Sequence, residues 1–245
     1  MKDNIILYKN YKKIGLKNRT ITEGKEIELV REYIDYRTNN FKPNSDNKMA
    51  VFLEPKIGDS YPDVVFVEYN PHNYEDWNDC RNSLELKDLK ILYHIYSKRG
   101  INIENIVSQL GVSWKTTGTS IELLYDSGLI TRKDGMWCVV DENKLVTNRI
   151  QAVEAKIGKW EEVLQQSIIN KAFASESCAL LCMKNQPQKE VVSRFGACGV
   201  GLLYKCEGSF KTLKRAKKRQ MPSNFNSLLL NEWIGRIITM EKENL

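Results

Sequence analysis

The sequence predicts an α/β protein with a smaller helical module set into it, and three observations carry that prediction. Apolar runs of strand length alternate with segments of helical period on either side of a central stretch. That stretch, Leu86 to Val140, has the helix and hairpin pattern of a unit with its own core. The chain's 245 residues suffice for one α/β domain and one small insert, each with its own buried side chains.

The elements follow in order. Ile27, Val30 and Ile34 put an apolar face on a helix spanning Thr22 to Asn39, with Thr22 as a candidate cap. Met49 to Glu54 reads as the first strand, and the segment Tyr61-Pro62-Asp63-Val64-Val65-Phe66-Val67 as a second that pairs with it in a hairpin. Within the insert, Leu89, Leu92, Ile95 and Tyr96 mark one helix, and Ile103, Ile106, Val107 and Leu110 a second closed by Gly111. A turn through Val112-Ser113 leads to a third helix carrying Ile121, Leu124 and Tyr125, stopped by Gly128. Two short strands joined by Asp134-Gly135 complete it, because Asp-Gly suits the two positive φ angles of a tight hairpin turn. Gly118 inside the third helix suggests close approach of another backbone.

After the insert, a strand from Arg149 runs into a helix whose apolar stripe is Trp160, Val163, Leu164, Ile168 and Phe173, with Gln165 and Gln166 beside it. Cys178 to Met183 is a fourth strand, Gln188 to Phe195 a helix and Gly199 to Tyr204 a fifth strand. Phe225 to Met240 is an apolar-faced helix expected to pack on the core or on a second subunit.

Composition narrows the function classes. With 42% hydrophobic and 28% charged residues, and no apolar run of membrane-span length, the expectation is a soluble cytoplasmic protein. The six cysteines form no Cys-x-x-Cys pair and there are only two histidines, so a zinc site or nucleophilic catalysis through histidine has little support. The formal net charge of +6 is modest, but Lys211, Lys214, Arg215, Lys217, Lys218 and Arg219 crowd one segment. A second basic cluster comprises Lys9, Lys12, Lys13, Lys17 and Arg19. Such runs suit contacts to backbone phosphates, and neither is interleaved with aromatics as a single-strand stacking platform would be, so duplex is the expected form.

The chemistry concentrates on two strand ends. Glu154 and Lys156 stand two residues apart on a strand, so both side chains emerge on one face. A carboxylate that holds a divalent cation beside an ammonium that steadies phosphate charge suits phosphodiester cleavage. A surface ion pair is the competing reading. Asp63, directly after Pro62 at the entrance of its own strand, supplies a second acid.

Pro62-Asp63 together with Glu154-Ala155-Lys156 resembles the PD-(D/E)XK superfamily, the restriction endonuclease-like nucleases. The resemblance implies a mixed central sheet flanked by helices, and Mg²⁺, with Mn²⁺ as substitute, held by Asp63, Glu154 and the carbonyl of Ala155. Lys156 would be the catalytic lysine. Several members add a first-helix glutamate, which points to Glu26, with Glu23 one turn earlier as the alternative. Some carry a glutamine on the helix after the lysine, which points to Gln166 or Gln165. The long interval between Asp63 and Glu154 departs from the family pattern, but removing the insert restores it. Glu54-Pro55-Lys56 also fits Glu-x-Lys and is set aside as a decoy, because Pro55 breaks strand pairing where a central strand is needed.

The insert resembles a winged helix-turn-helix domain. On that resemblance Lys115, Thr116 and Thr119 lie on the recognition helix and Arg132 and Lys133 at the wing tip, with Lys214, Arg215, Lys217 and Lys218 as further DNA contacts. The expected domains are 1–84 and 142–245 for the nuclease core and 85–141 for the insert. The expected function is a Mg²⁺-dependent DNA endonuclease of restriction or defence, acting on duplex DNA as a homodimer or larger assembly. The alternative is a DNA-binding regulator or assembly subunit on a non-catalytic nuclease fold. A third reading is an RNA nuclease with a protein-binding winged helix.

Overall fold

The computed structural model describes residues 5–8, 11–20, 23–219 and 224–243. In chain order the elements are β1 (Ile5–Tyr8), α1 (Lys25–Asn39), β2 (Lys48–Leu53), β3 (Val64–Tyr69), α2 (Asp79–Asn82), α3 (Leu86–Lys98), α4 (Ile103–Leu110), α5 (Trp114–Asp126), β4 (Ile130–Lys133) and β5 (Met136–Val139). They continue with β6 (Arg149–Ile157), α6 (Trp160–Asn170), β7 (Glu176–Cys182), α7 (Lys189–Ala197), β8 (Gly201–Cys206), β9 (Ser209–Lys214) and α8 (Phe225–Glu243). The chain divides into two compact units: Met1–Asn70 with Thr147–Pro222, and Pro71–Val146 with Ser223–Leu245.

The first unit is built on a mixed seven-stranded sheet of order β1-β2-β3-β6-β7-β8-β9. β2/β3, β3/β6 and β8/β9 are antiparallel, and β1/β2, β6/β7 and β7/β8 are parallel. Its faces follow the two-residue period of a strand. Cys178 and Leu180 of β7 join Val153, Phe66 and Val51 beneath Ile27, Val30 and Tyr33 of α1. Ala179 and Leu181 point the other way, against Val163 of α6 and Phe195 of α7. Each fully buried Val, Leu or Ile here contributes about 1.5–3 kcal/mol.

Several expectations change. Two edge strands, β1 and β9, extend the five read from the sequence: β1 is four residues long, and β9 overlaps the start of what reads as a basic run. Lysines suit such an edge because they discourage pairing with another chain. Thr22, the expected cap, lies outside the described residues, as does Lys9; α1 starts at Lys25 after Gly24. The buried face of α6 is Val163, Ser167 and Asn170, while Ile168 is exposed and Phe173 lies beyond the helix end.

The second unit contains α3, α4 and α5 followed by the β4/β5 hairpin, whose turn residues Asp134 and Gly135 take φ of 50° and 78°. It is larger than the 85–141 segment expected, because it also takes residues 71–84, 142–146 and the C-terminal helix α8, which were expected with the sheet. The cause is a buried polar and aromatic seam: Arg81 is paired with Glu232 at 2.6 Å, and Tyr74 donates to Asn231 at 2.8 Å. A side chain at Gly235 of α8 would collide with the Trp77 ring, its Cβ falling 1.9 Å from a ring carbon. Gly118, by contrast, has open space where a Cβ would stand, so no backbone approaches it.

Candidate active site

Asp63 sits one residue before β3, where that strand's pairing with β6 stops at Val64 and Val153. Beyond that point the β6 edge has no strand partner on this side, and the Asp63 carboxylate takes over by accepting a hydrogen bond from the Ala155 N–H at 2.7 Å. A residue in a strand presents its N–H and C=O to the same edge, so the Ala155 carbonyl faces the Asp63 side as well.

Glu154, on the same strand, is 4% exposed. Asn170 of α6 donates to its carboxyl at 2.6 Å, and the carboxyl also shares a hydrogen bond with Asp63. Burial first, and the Asp63 charge second, push the Glu154 pKa up to about 8. Burial also raises Asp63, partly offset by the Ala155 N–H and by the charge of Lys156. One of these two acids therefore keeps a proton near neutrality in the metal-free protein.

Lys156 donates to Glu26 of α1 at 2.8 Å. Burial disfavours its charge, but the hydrogen bond and charge of Glu26, with Asp63 and Glu154 behind, hold its pKa above the ordinary lysine value. Glu23 is turned elsewhere, in an exposed pair with Arg31. Asp63, Glu154, Lys156, Glu26 and Gln166 thus line one pocket of about 150 Å³. Gln165 is exposed outside it.

Three residues of the site escaped the sequence reading. Asn170 is buried on the helical turn after Gln166, and that four-residue spacing was the available signal. Its Oδ1 has no partner among the described residues. Glu54, set aside with its decoy motif, lines the pocket, and burial raises its pKa. Arg19 lines it too, whereas Lys12, Lys13 and Lys17 do not. Lys56, the other half of the decoy, lies over the Tyr61 ring instead.

Two carboxylates and a backbone carbonyl are hard oxygen donors, which suit Mg²⁺ or Mn²⁺. A divalent cation also relieves the repulsion of two acids sharing a buried site. Among the described residues no group of three or more His, Cys, Asp or Glu is placed to hold a metal ion.

The residues expected to contact DNA lie elsewhere. Lys115 and Thr119 are exposed on α5, and Arg132 and Lys133 on β4. The Thr116 hydroxyl shares a hydrogen bond with that of Ser113 at 2.8 Å, and the Thr119 hydroxyl donates to the Lys115 carbonyl, which leaves the Thr119 oxygen as an acceptor. Lys214 ends β9, and Arg215, Lys217 and Lys218 follow, exposed, in a segment without regular secondary structure. Among the described residues no helix is long and apolar enough to cross a membrane. No family model, curated protein or solved structure matches the chain.

Proposed function

We propose that the chain is a metal-dependent endodeoxyribonuclease with a restriction endonuclease-like core, and that its helical unit is a winged helix that recognises duplex DNA. The observation that supports this reading is the convergence of Asp63, Glu154, Ala155, Lys156 and Glu26 at one end of β3 and β6, although Asp63 and Glu154 are 91 positions apart in the chain.

Asp63, Glu154 and the Ala155 carbonyl would hold the cation, which supplies charge stabilisation at the phosphate and lowers the pKa of water. Asn170 fixes the rotamer of Glu154, and the Ala155 N–H fixes that of Asp63, so both acids are oriented before substrate arrives. Glu26 holds the Lys156 ammonium at the pocket, where it meets charge developing on the scissile phosphate. No covalent enzyme intermediate is required. In the helical unit, Lys115, Thr116 and Thr119 would meet the major groove and Arg132 and Lys133 a flanking phosphate.

Incubation with supercoiled plasmid tests the reading. The expected result is nicking or linearisation with Mg²⁺ or Mn²⁺, none with chelator, and none from Glu154→Gln with either metal. Metal-dependent DNA binding without any cutting would favour the regulator or assembly-subunit reading instead.

A further inference from the structure

The sheet unit has a second cavity, apart from the acid pocket. It encloses about 600 Å³ and is lined by the C-terminal half of α1, the first residues of β6 and β7, and the β9 segment. That volume lies within the range of sites that take small organic ligands, about 300–1,000 Å³. We infer that this cavity takes one nucleobase with its phosphate, either as a free nucleotide or as a nucleotide of a single strand.

Three rings form one wall. Phe210 lies 5.2 Å from Tyr33 and 5.0 Å from Tyr36, centroid to centroid. Tyr33 is buried and holds the group in place, while Tyr36 is 42% exposed and offers its ring to a ligand. The sequence hides this arrangement, because the aromatics that accompany the basic segment come mostly from α1.

The charge of the lining is lopsided. Six cations, Arg37, Arg149, Lys211, Lys214, Arg215 and Lys218, face a single carboxylate among the lining residues, that of Glu176. Arg37 and Arg149 are anchored, both to Glu68 and Arg149 also to Glu176. Lys211, Lys214 and Arg215 have no ion pair among the described residues. Arg149 keeps a buried Nε–H without an acceptor, beside the buried amide of Gln151. An anionic ligand with hydrogen-bonding edges and a flat apolar face answers all of these features at once. Edge protection alone accounts for lysines on β9, but not for the rings or the cavity.

A duplex does not suit the site, because stacked neighbours cover both faces of every base. The cavity lies on the same helix as the acid pocket: Glu26 lines one and Tyr36 the other, ten residues or roughly 15 Å apart along α1. Binding there is nevertheless independent of whether the acid pair is catalytic.

The test uses the full chain in chelator, so that cleavage plays no part. Ethenoadenosine monophosphate and a short fluorescein-labelled single strand are titrated by fluorescence, with a matched duplex and inorganic pyrophosphate as competitors. Both fluorescent probes, or the single strand alone, should bind. Tyr36→Ala should weaken binding about tenfold, as removal of a base-stacking ring does, while Tyr36→Phe stays near wild type. Tighter binding of the oligonucleotide assigns the cavity to a single strand, and equal binding to the free nucleotide. Ultraviolet cross-linking of a thiouridine-containing strand to the wild-type protein should map to the peptides holding Tyr36 or Phe210, whatever the folding of the variants. Absence of binding, cross-links confined to other peptides, or pyrophosphate competing as well as the nucleotide with Tyr36→Ala unchanged would each overturn the inference.

Discussion

Glu154 and Glu232 are both buried glutamates, and their neighbours are opposite in sign. Glu232 is 0% exposed and meets the Arg81 guanidinium through both oxygens, at 2.6 and 3.1 Å, with the Trp77 ring stacked on the arginine. Glu154 is 4% exposed and meets another acid. The first arrangement is what a fold needs when it buries a charge: a bidentate cationic partner, with a further donor, the Asn231 amide, on the same carboxylate. The second works against the fold, since each acid opposes the ionisation of the other. The difference teaches where stability has been yielded, and such places are where binding and catalysis are to be sought.

The largest effect separates the two glutamates directly. Glu232→Gln leaves Arg81 as an uncompensated buried charge and should cost about 3–5 kcal/mol in urea unfolding. Glu154→Gln, measured in chelator, should be neutral or stabilising. Equal destabilisation at the two positions would erase the distinction.

Next in size is catalysis. Lys156→Ala should lower cleavage by roughly 10²–10³-fold, about the effect of removing one preorganised donor, while affinity for Mn²⁺ is kept because the lysine is not a ligand. Glu54→Gln sharpens the map of the site: its side chain lines the pocket, so it should change cleavage more than Gln165→Ala, which lies outside.

Smaller effects concern recognition. Alanine in place of Lys115, Thr116 or Thr119 should cost about 1–3 kcal/mol at one position of a preferred sequence, the worth of a hydrogen bond to a base edge. Alanine at Lys217 and Lys218 should weaken binding to all sequences alike and reduce the salt slope by roughly one unit per phosphate no longer neutralised. Salt titrations on preferred and random duplexes distinguish the two. A uniform fall in affinity from the α5 variants would make that unit a partner-binding module.

The gentlest effect is that of pH on the metal-free protein. The Glu154 pKa of about 8 stands above its ordinary value of 4.5, so the folded chain holds a proton that the unfolded chain has released. This contribution to stability is complete below about pH 4.5 and is lost as the pH rises through about 8. Glu154→Gln should flatten the decline, which a denaturation series across that range would show.

Much of this was legible in the chain, for definable reasons. That Glu154 and Lys156 share a face was legible because strand period fixes it, and the structure brings Asp63 to the same pocket. Glu26 could be read only as a pair with Glu23, since both occupy the first turns of one helix; the Lys156 hydrogen bond distinguishes them. Asn170 was missed because a buried polar residue has no hydrophobic signature, and the apolar stripe drew attention to Ile168 on the exposed side. The grouping of α8 with residues 71–146 depends on Arg81 finding Glu232 across 151 positions, which no local pattern encodes. The nearness of Tyr36 to Phe210 is hidden for the same reason.

The most direct test of the acid pair is a calorimetric titration of Mn²⁺ into chelator-stripped protein, with wild type, Asp63→Asn, Glu154→Gln and Lys156→Ala compared at one pH. The account predicts saturable binding to wild type and to Lys156→Ala, and binding weakened at least tenfold by Asp63→Asn or Glu154→Gln. Wild-type protein that takes up no Mn²⁺, or binding that both acid variants leave unchanged, would contradict it.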